Sequence, residues 1–244
     1  MSALLLRLIA CLAMLIDHIG FQYNIHLFRC IGRIAFPIFV FLLCNGYRHT
    51  SSRLRYALRL GIFALISQVP FSLFCYNSLW HSKGNVFVTL FLSLVCIWTA
   101  DRLLRSKNLR LLAFLPTLAI CGLYYFGSLD SDYGIRGILF ALTFWFFGKQ
   151  ESKKPGCILA GMLMAIYYPF LLQCARWALG GAVPVLSSWV LTQIYSLLAL
   201  PLILLYNGRK GNAPASPALA KLSQLGFYIF YPAHMLVLWL IRVY

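Results

Sequence analysis

Nine apolar stretches follow one another along this chain, separated by short polar connections. They run over about 3–22, 28–47, 57–76, 85–100, 111–127, 134–148, 157–174, 187–206 and 222–241. A bilayer core takes about 20 apolar residues per helical crossing. Inside hydrocarbon every backbone N–H and C=O must be bonded within its own segment, which a helix achieves. The pattern predicts an all-α fold: a polytopic integral membrane helical bundle of nine crossings, or ten if one segment re-enters. Several stretches are shorter than a full crossing and are expected to tilt or sink into the bundle. The chain has 244 residues, 61% hydrophobic and 11% charged. Soluble domains carry about 25% charged residues, so a soluble globular protein is excluded. The spans leave no space for a separate soluble domain, and residues 1–244 read as one membrane unit. The first stretch carries only Arg7 as an early charge and has no small-residue cleavage site. It reads as the first span and not as a removable signal.

The charge balance is lopsided, with 21 Lys+Arg against 5 Asp+Glu. In a soluble protein this would point to nucleic acid. Here the basic residues fall in short loops between spans, the pattern of the positive-inside rule, and nucleic acid is not expected as a partner. Alternate loops hold Arg48, Arg53, Arg55 and Arg59; Arg102, Arg105, Lys107 and Arg110; Lys149, Lys153 and Lys154; and Arg209, Lys210 and Lys221. The intervening loops hold only Arg29, Lys83 and Arg176, with Asp130 and Asp132 in one of them. The basic loops are expected on the cytoplasmic side, with the N-terminus. Nine spans would put the C-terminus outside, and a tenth would return it.

Eight cysteines are scattered, without a Cys-x-x-Cys or a zinc-like Cys/His spacing. No metal site or disulfide framework is expected, although one bridge among Cys30, Cys75 and Cys174 stays open. Pro37, Pro70, Pro116, Pro169 and Pro201 fall inside spans and would mark kinks. The longest polar connection, Asn207–Lys221, contains the Asn-Ala-Pro-Ala-Ser-Pro run and reads as a flexible loop. No internal repeat is visible.

Ionisable groups inside spans are functional candidates by default. Asp17 and His18 lie near the outer end of span 1, and Arg33 a few residues into span 2. Asp132 and Arg136 bracket the start of span 6, and His234 lies toward the outside in span 9. Gln68 and Asn85 add polar groups at similar depth. Asp17–Arg33 or Asp132–Arg136 could instead be ion pairs that only hold helices together, and either histidine could be a hydrogen-bonded core residue.

Arg7 and His18 are eleven residues apart. At 100° per residue they face one side of one helix, separated by about 16 Å. Arg7 would stand at the cytoplasmic mouth, with His18 deep in the bundle. A ligand with an anionic head and a long thin arm, such as coenzyme A, would meet Arg7 with its phosphate and His18 with its reactive end. Arg48, Arg53, Arg55 and Arg59 could hold the remaining phosphates, since arginine suits phosphate geometry. Alternatively, the cluster is a topology signal or contacts anionic lipid.

Five segments carry a resemblance: Leu-Ile-Asp17-His18-Ile, Gly32-Arg33-Ile-Ala-Phe36-Pro37-Ile-Phe39, Asn85-Val-Phe87, Tyr133-Gly134-Ile-Arg-Gly137 and Tyr231-Pro-Ala-His234. In this order they resemble the TraX family, whose namesake is a conjugative-pilin acetylase. That family looks like a branch of the transmembrane acyltransferases, together with the acyltransferase-3 proteins. Those carry a basic residue, ten intervening residues and a histidine in the first helix, which Arg7 and His18 match. The resemblance implies acetyl-CoA as cytoplasmic donor and an acceptor reached from the outer side; no metal is expected, and the membrane is expected to be a bacterial inner (plasma) membrane. The acceptor would be a protein N-terminus such as pilin, or a glycan or lipid hydroxyl. Arg136 departs from the family pattern.

The expected chemistry has His18 as general base. Asp17 points about 100° away from its neighbour and is expected to pair with Arg33. Arg33 or Asn85 would stabilise the thioester oxyanion, with Gln68, Tyr133 and Asp132 on the substrate side. His234 is a second base or orients the acceptor. Two rival readings are a small transporter using Asp17, Arg33 and His234 as a relay, and a structural scaffold.

Overall fold

The computed structural model describes residues 1–209, 211 and 217–243, the side chains of 217–224 excepted. Lys210, residues 212–216 of the polar run and the Lys221 side chain lie outside the described residues. The helices are α1 (Ala3–Gln22), α2 (His26–Gly32), α3 (Ala35–His49), α4 (Arg53–Tyr76), α5 (Val86–Leu104), α6 (Leu115–Tyr125), α7 (Gly134–Phe147), α8 (Pro155–Ala178), α9 (Ser188–Gln193), α10 (Ala199–Leu204) and α11 (Pro217–Val243). Short 3-10 turns precede α6 and α8, and another joins α9 to α10. Among the described residues there is no strand, only one bridge between Gly84 and Ser131.

Six passes are long and apolar enough to cross a membrane: Ala3–Gln22, His26–His49, Arg53–Tyr76, Val86–Leu104, Pro155–Ala178 and Leu225–Val243. Arg110–Tyr125, Gly134–Phe147 and Ser188–Leu204 are apolar but shorter. The chain is a polytopic helical membrane protein. Its nine apolar passes match the nine stretches of the sequence, three of them below full crossing length.

Helices α1, α11, α4, α5, α7 and α3 pack in sequence into a closed ring, each touching the next. Outside it, α6 leans on α5 and α7, α8 packs on α7, and α10 on α3. The core is dense in phenylalanine. Phe41, Phe74, Phe140 and Phe144 are at most 1% exposed, and Phe41 meets the Phe144 and Tyr206 rings edge-on.

Helices running back to the N-terminal side either end in cations or are capped by cations from other segments. Arg48 and His49 close α3, and Arg102 closes α5. Arg48 donates to the Phe144 and Trp145 carbonyls at 2.7 Å and to Gly148 at 3.2 Å, capping α7. Lys153 donates to the carbonyls of Ile203, Leu204 and Tyr206, capping α10. Helix C-termini present unpaired carbonyls and partial negative charge. Part of the charge asymmetry is therefore helix capping. These cations make this the basic end of the bundle.

The prolines divide by position. Pro37 and Pro116 sit in the first turns of α3 and α6, and Pro201 is the third residue of α10. First-turn positions have no helical N–H bond to lose, so these three begin helices instead of kinking them. Pro70 and Pro169 do lie inside α4 and α8.

Candidate active site

One cavity of about 820 Å³ occupies the ring. Its wall includes Ala3 and Arg7 at the basic end of α1, Met14 midway, and His18 and Phe21 near the far end. The 3.6-residue period that placed Arg7 and His18 on one face thus places both on one wall. Phe39 and Leu42 of α3 make the middle apolar.

The far end is built around a break between α2 and α3. Pro37 cannot donate to the Arg33 carbonyl, and the chain tightens there: the Arg33 and Ile34 amides bond three residues back. The break turns the Arg33 side chain onto Asp17. Asp17 Oδ2 pairs with both Arg33 and Arg29, the latter at 2.7 Å. Asp17 and Arg33 are 6% and 5% exposed. Gly32 makes the approach possible, because a Cβ there would run into the Asp17 side chain and come within 2.7 Å of its Cα. The expected Asp17–Arg33 pair is present and extended by Arg29. Asp132–Arg136 is not among the ion pairs of the described residues.

His18 and His234 meet. Nδ1 of His18 lies 2.6 Å from Nε2 of His234, and the rings are within 10° of parallel. Nδ1 of His234 lies 2.6 Å from the Phe230 carbonyl. A carbonyl only accepts, so His234 Nδ1 carries the hydrogen. For neutral rings the network then assigns the rest: His234 Nε2 accepts, His18 Nδ1 donates, and His18 Nε2 keeps its lone pair. His18 lines the cavity and His234 is not in its wall. Phe74 and Tyr231 pack around His18, with ring centres at 5.3 and 6.5 Å.

Two loops close the far end. The Gly84 amide donates to Asp130 and the Asp132 amide to Gly84, both at 3.0 Å. The hydroxyls of Tyr124, Ser131 and Thr89 form a chain with spacings of 2.6 and 2.8 Å. This holds Lys83, Asp132 and Tyr133 on the cavity wall. Tyr133 stacks on Phe36 at 3.5 Å. Desolvation pushes the Asp132 carboxyl above the ordinary carboxylate range, against the pull of Lys83 and Arg33.

Asn85 and Gln68 serve the fold instead of the cavity. Asn85 Nδ2 donates to the Ala64 carbonyl at 2.7 Å and to Gln68 Oε1 at 3.0 Å. Its Oδ1 accepts from the Phe87 amide, capping α5. Gln68 Nε2 donates to the carbonyls of His81 and Lys83. Neither residue is in the cavity wall. With both amide hydrogens engaged, Asn85 has none for an oxyanion.

Of the five arginines expected at the donor phosphates, Arg7 and Arg59 line the cavity and Arg48, Arg53 and Arg55 do not. Arg48 is the α7 cap. Arg53 pairs with Asp101 at 3.3 Å and covers the Tyr47 ring. Arg55 is exposed at the start of α4. Arg59 is held between the rings of Tyr56 and Tyr228 at 5.3 and 5.2 Å.

Arg29 and Lys83 read as loop background in the sequence, yet both are in the wall. Nothing in the sequence singles out Trp189, which lines the far end. Tyr231, three residues before His234, carried a signal: that spacing puts both on one helix face. All eight cysteines are free, Cys30, Cys75 and Cys174 among them.

A family model described as TraX protein matches residues 2–242. The chain is also similar to a Dichelobacter nodosus protein described as "Probable fimbrial assembly protein FimC, serogroup H1". The two are 26% identical over 255 residues, covering 97% of this chain and 94% of that protein. No solved structure matches. With a match that leaves out only the first residue and the last two, the chain belongs to the TraX family.

Proposed function

We propose that this protein is an acetyltransferase of the bacterial inner membrane with a pilin-related role. It would take acetyl groups from acetyl-CoA at the basic, cytoplasmic end and pass them to an amine or hydroxyl entering from the far side. The observation that carries this reading is one cavity with Arg7 at its basic end and His18 about 16 Å deeper on the same helix. Family membership and the relative's name, a fimbrial assembly protein, support the pilin-related setting.

The residues present fit the donor. Arg7 and Arg59 offer guanidinium donors for phosphates, and Met14, Phe39 and Leu42 give an apolar lane for a thin arm. Acetyl-CoA supplies an activated thioester. His18 Nε2 takes a proton from the acceptor as the acceptor's lone pair adds to the thioester carbonyl carbon. When the carbon–sulfur bond breaks, His18 returns that proton to the leaving thiolate and ends neutral. His234 holds His18 in the tautomer that leaves Nε2 free. Arg33 and Tyr133 line the cavity near this level and would bear the charge gathering on the carbonyl oxygen. The acceptor would be a protein N-terminus, or a glycan or lipid hydroxyl.

The test is thermal stability of the purified protein with acetyl-CoA, CoA, ATP or no ligand, repeated on Arg7→Ala. A ligand at 100 times its Kd stabilises by about 2.7 kcal/mol. A shift confined to the CoA compounds and weakened in Arg7→Ala is expected. No shift, or an equal one with ATP, overturns the reading and leaves a transporter using the same cavity and its charges.

A further inference from the structure

The far end of the cavity carries more positive charge than its own residues neutralise. Arg29, Arg33 and Lys83 line it, facing Asp17 and Asp132. Arg136 stands one layer behind. Its guanidinium lies 3.9 Å from the ring centre of Trp189, and Trp189 is in the wall. Arg136 is 1% exposed. Its Nε donates to the Ala165 carbonyl at 3.2 Å, while its Nη2 is buried without a hydrogen-bond partner among the described residues. Among the described residues neither Arg136, Lys83 nor Asp132 is in an ion pair. Counting Arg136 behind the wall, four cations stand against two carboxylates at this end, and one carboxylate, Asp17, is already shared by two arginines.

A guanidinium stays charged at any working pH. A buried charge lacking an opposite partner is costly, so this end is built to be completed by an anion. The excess is two charges. A phosphate monoester carries about −1.5 to −2 near neutral pH and matches it, whereas a carboxylate would leave half unbalanced. Arginine forks also suit phosphate oxygens. A cationic acceptor would meet net repulsion.

We infer that the far end of the cavity binds a phosphate group, carried by the acceptor beside the nucleophile that His18 deprotonates. This rests on the acetyltransferase reading for its link to catalysis, but the phosphate site can be tested by itself. Lys83 and Arg29 would meet the phosphate first, and displacement of Trp189 would open the way to Arg136. The phosphate could belong to a lipid headgroup or to a soluble molecule.

The experiment uses the purified full chain in phosphatidylcholine nanodiscs. Saturating CoA blocks the basic end. Thermal unfolding is followed as inorganic phosphate rises, with chloride at equal ionic strength as control. Phosphate is expected to raise the Tm by a few degrees above chloride, and Lys83→Gln and Arg136→Gln should remove most of that rise. Among the described residues the Lys83 side chain makes no hydrogen bond or ion pair, so Lys83→Gln decides the matter if Arg136→Gln does not fold. Nanodiscs containing phosphatidic acid, whose headgroup is a phosphate monoester, separate the sources. A Lys83-dependent Tm rise from that lipid, with loss of the phosphate effect, identifies a headgroup; an unchanged phosphate effect identifies a soluble ligand. No response beyond chloride in either lipid overturns the inference. A CoA shift without a phosphate shift leaves the donor reading standing and this one fallen; the reverse removes the donor reading alone.

Discussion

His18 and His234 are 216 residues apart in sequence, and their facing nitrogens lie 2.6 Å apart. The Phe230 carbonyl fixes one proton on His234, and that proton fixes the next on His18. His18 lines the cavity and His234 stands behind it, so in the proposed mechanism base and orienting partner are separated by position. His18→Ala should lower transfer of label from radioactive acetyl-CoA to cell-envelope acceptors by about 10²–10⁴-fold while leaving the CoA-dependent thermal shift. His234→Ala should cost less, on the order of 10–100-fold, as for other partners that hold a histidine tautomer. His234→Gln, whose Oε1 can accept from Nδ1, should recover part of that loss. Equal activity in wild type and His18→Ala would sink the mechanism.

If the cavity binds the donor as proposed, Arg59 and Arg48 should separate donor binding from stability. A charged hydrogen bond contributes about 1.5–3 kcal/mol, so Arg59→Ala should weaken CoA affinity about 10- to 150-fold in a titration. Arg48→Ala should leave affinity within about threefold but lower the Tm, since three carbonyls at the end of α7 lose their donor. Weaker CoA binding by Arg48→Ala than by Arg59→Ala would contradict this division.

The Asp17–Arg33 pair is buried, so losing one partner strands the other. Asp17→Asn or Arg33→Gln should each destabilise by about 3–5 kcal/mol. The double variant should cost clearly less than the sum of the two. Denaturant unfolding of the four proteins closes the cycle, and additive losses would show that the pair is not coupled.

Asn85→Ala should behave as a stability variant. It removes the α5 cap, typically about 1 kcal/mol, and leaves the Ala64 carbonyl and Gln68 Oε1 short of a donor. The Tm should fall while the transfer rate per folded molecule changes less than threefold. A large rate loss at unchanged Tm would return Asn85 to the reaction.

Hydropathy read the nine passes correctly because each ends in polar residues, and it also caught that some were short. The Arg7–His18 register was legible because both lie on one helix, where spacing alone fixes direction. The roles that escaped depend on what arrives from elsewhere. Arg48 looks like any loop arginine until the end of α7 lies beneath it. Asn85 looks like a buried site residue until Gln68 and the Ala64 carbonyl absorb both of its hydrogens. Arg29 and Lys83 resembled topological background because a cavity wall has no sequence period. The meeting of the two histidines was hinted at only by their common depth.

A chamber reaching toward both ends of a bundle would discharge any ion gradient across the membrane if small cations could pass. Here guanidinium or ammonium groups stand at each mouth, Arg7 and Arg59 at one and Arg29 and Lys83 at the other. Between them lies an apolar lane at Met14, Phe39 and Leu42. Positive groups repel hydronium and metal cations, and an apolar stretch adds a hydration barrier. If donor and acceptor meet in this chamber as proposed, the cationic groups that would draw anionic ligands would also keep small cations from leaking across the membrane.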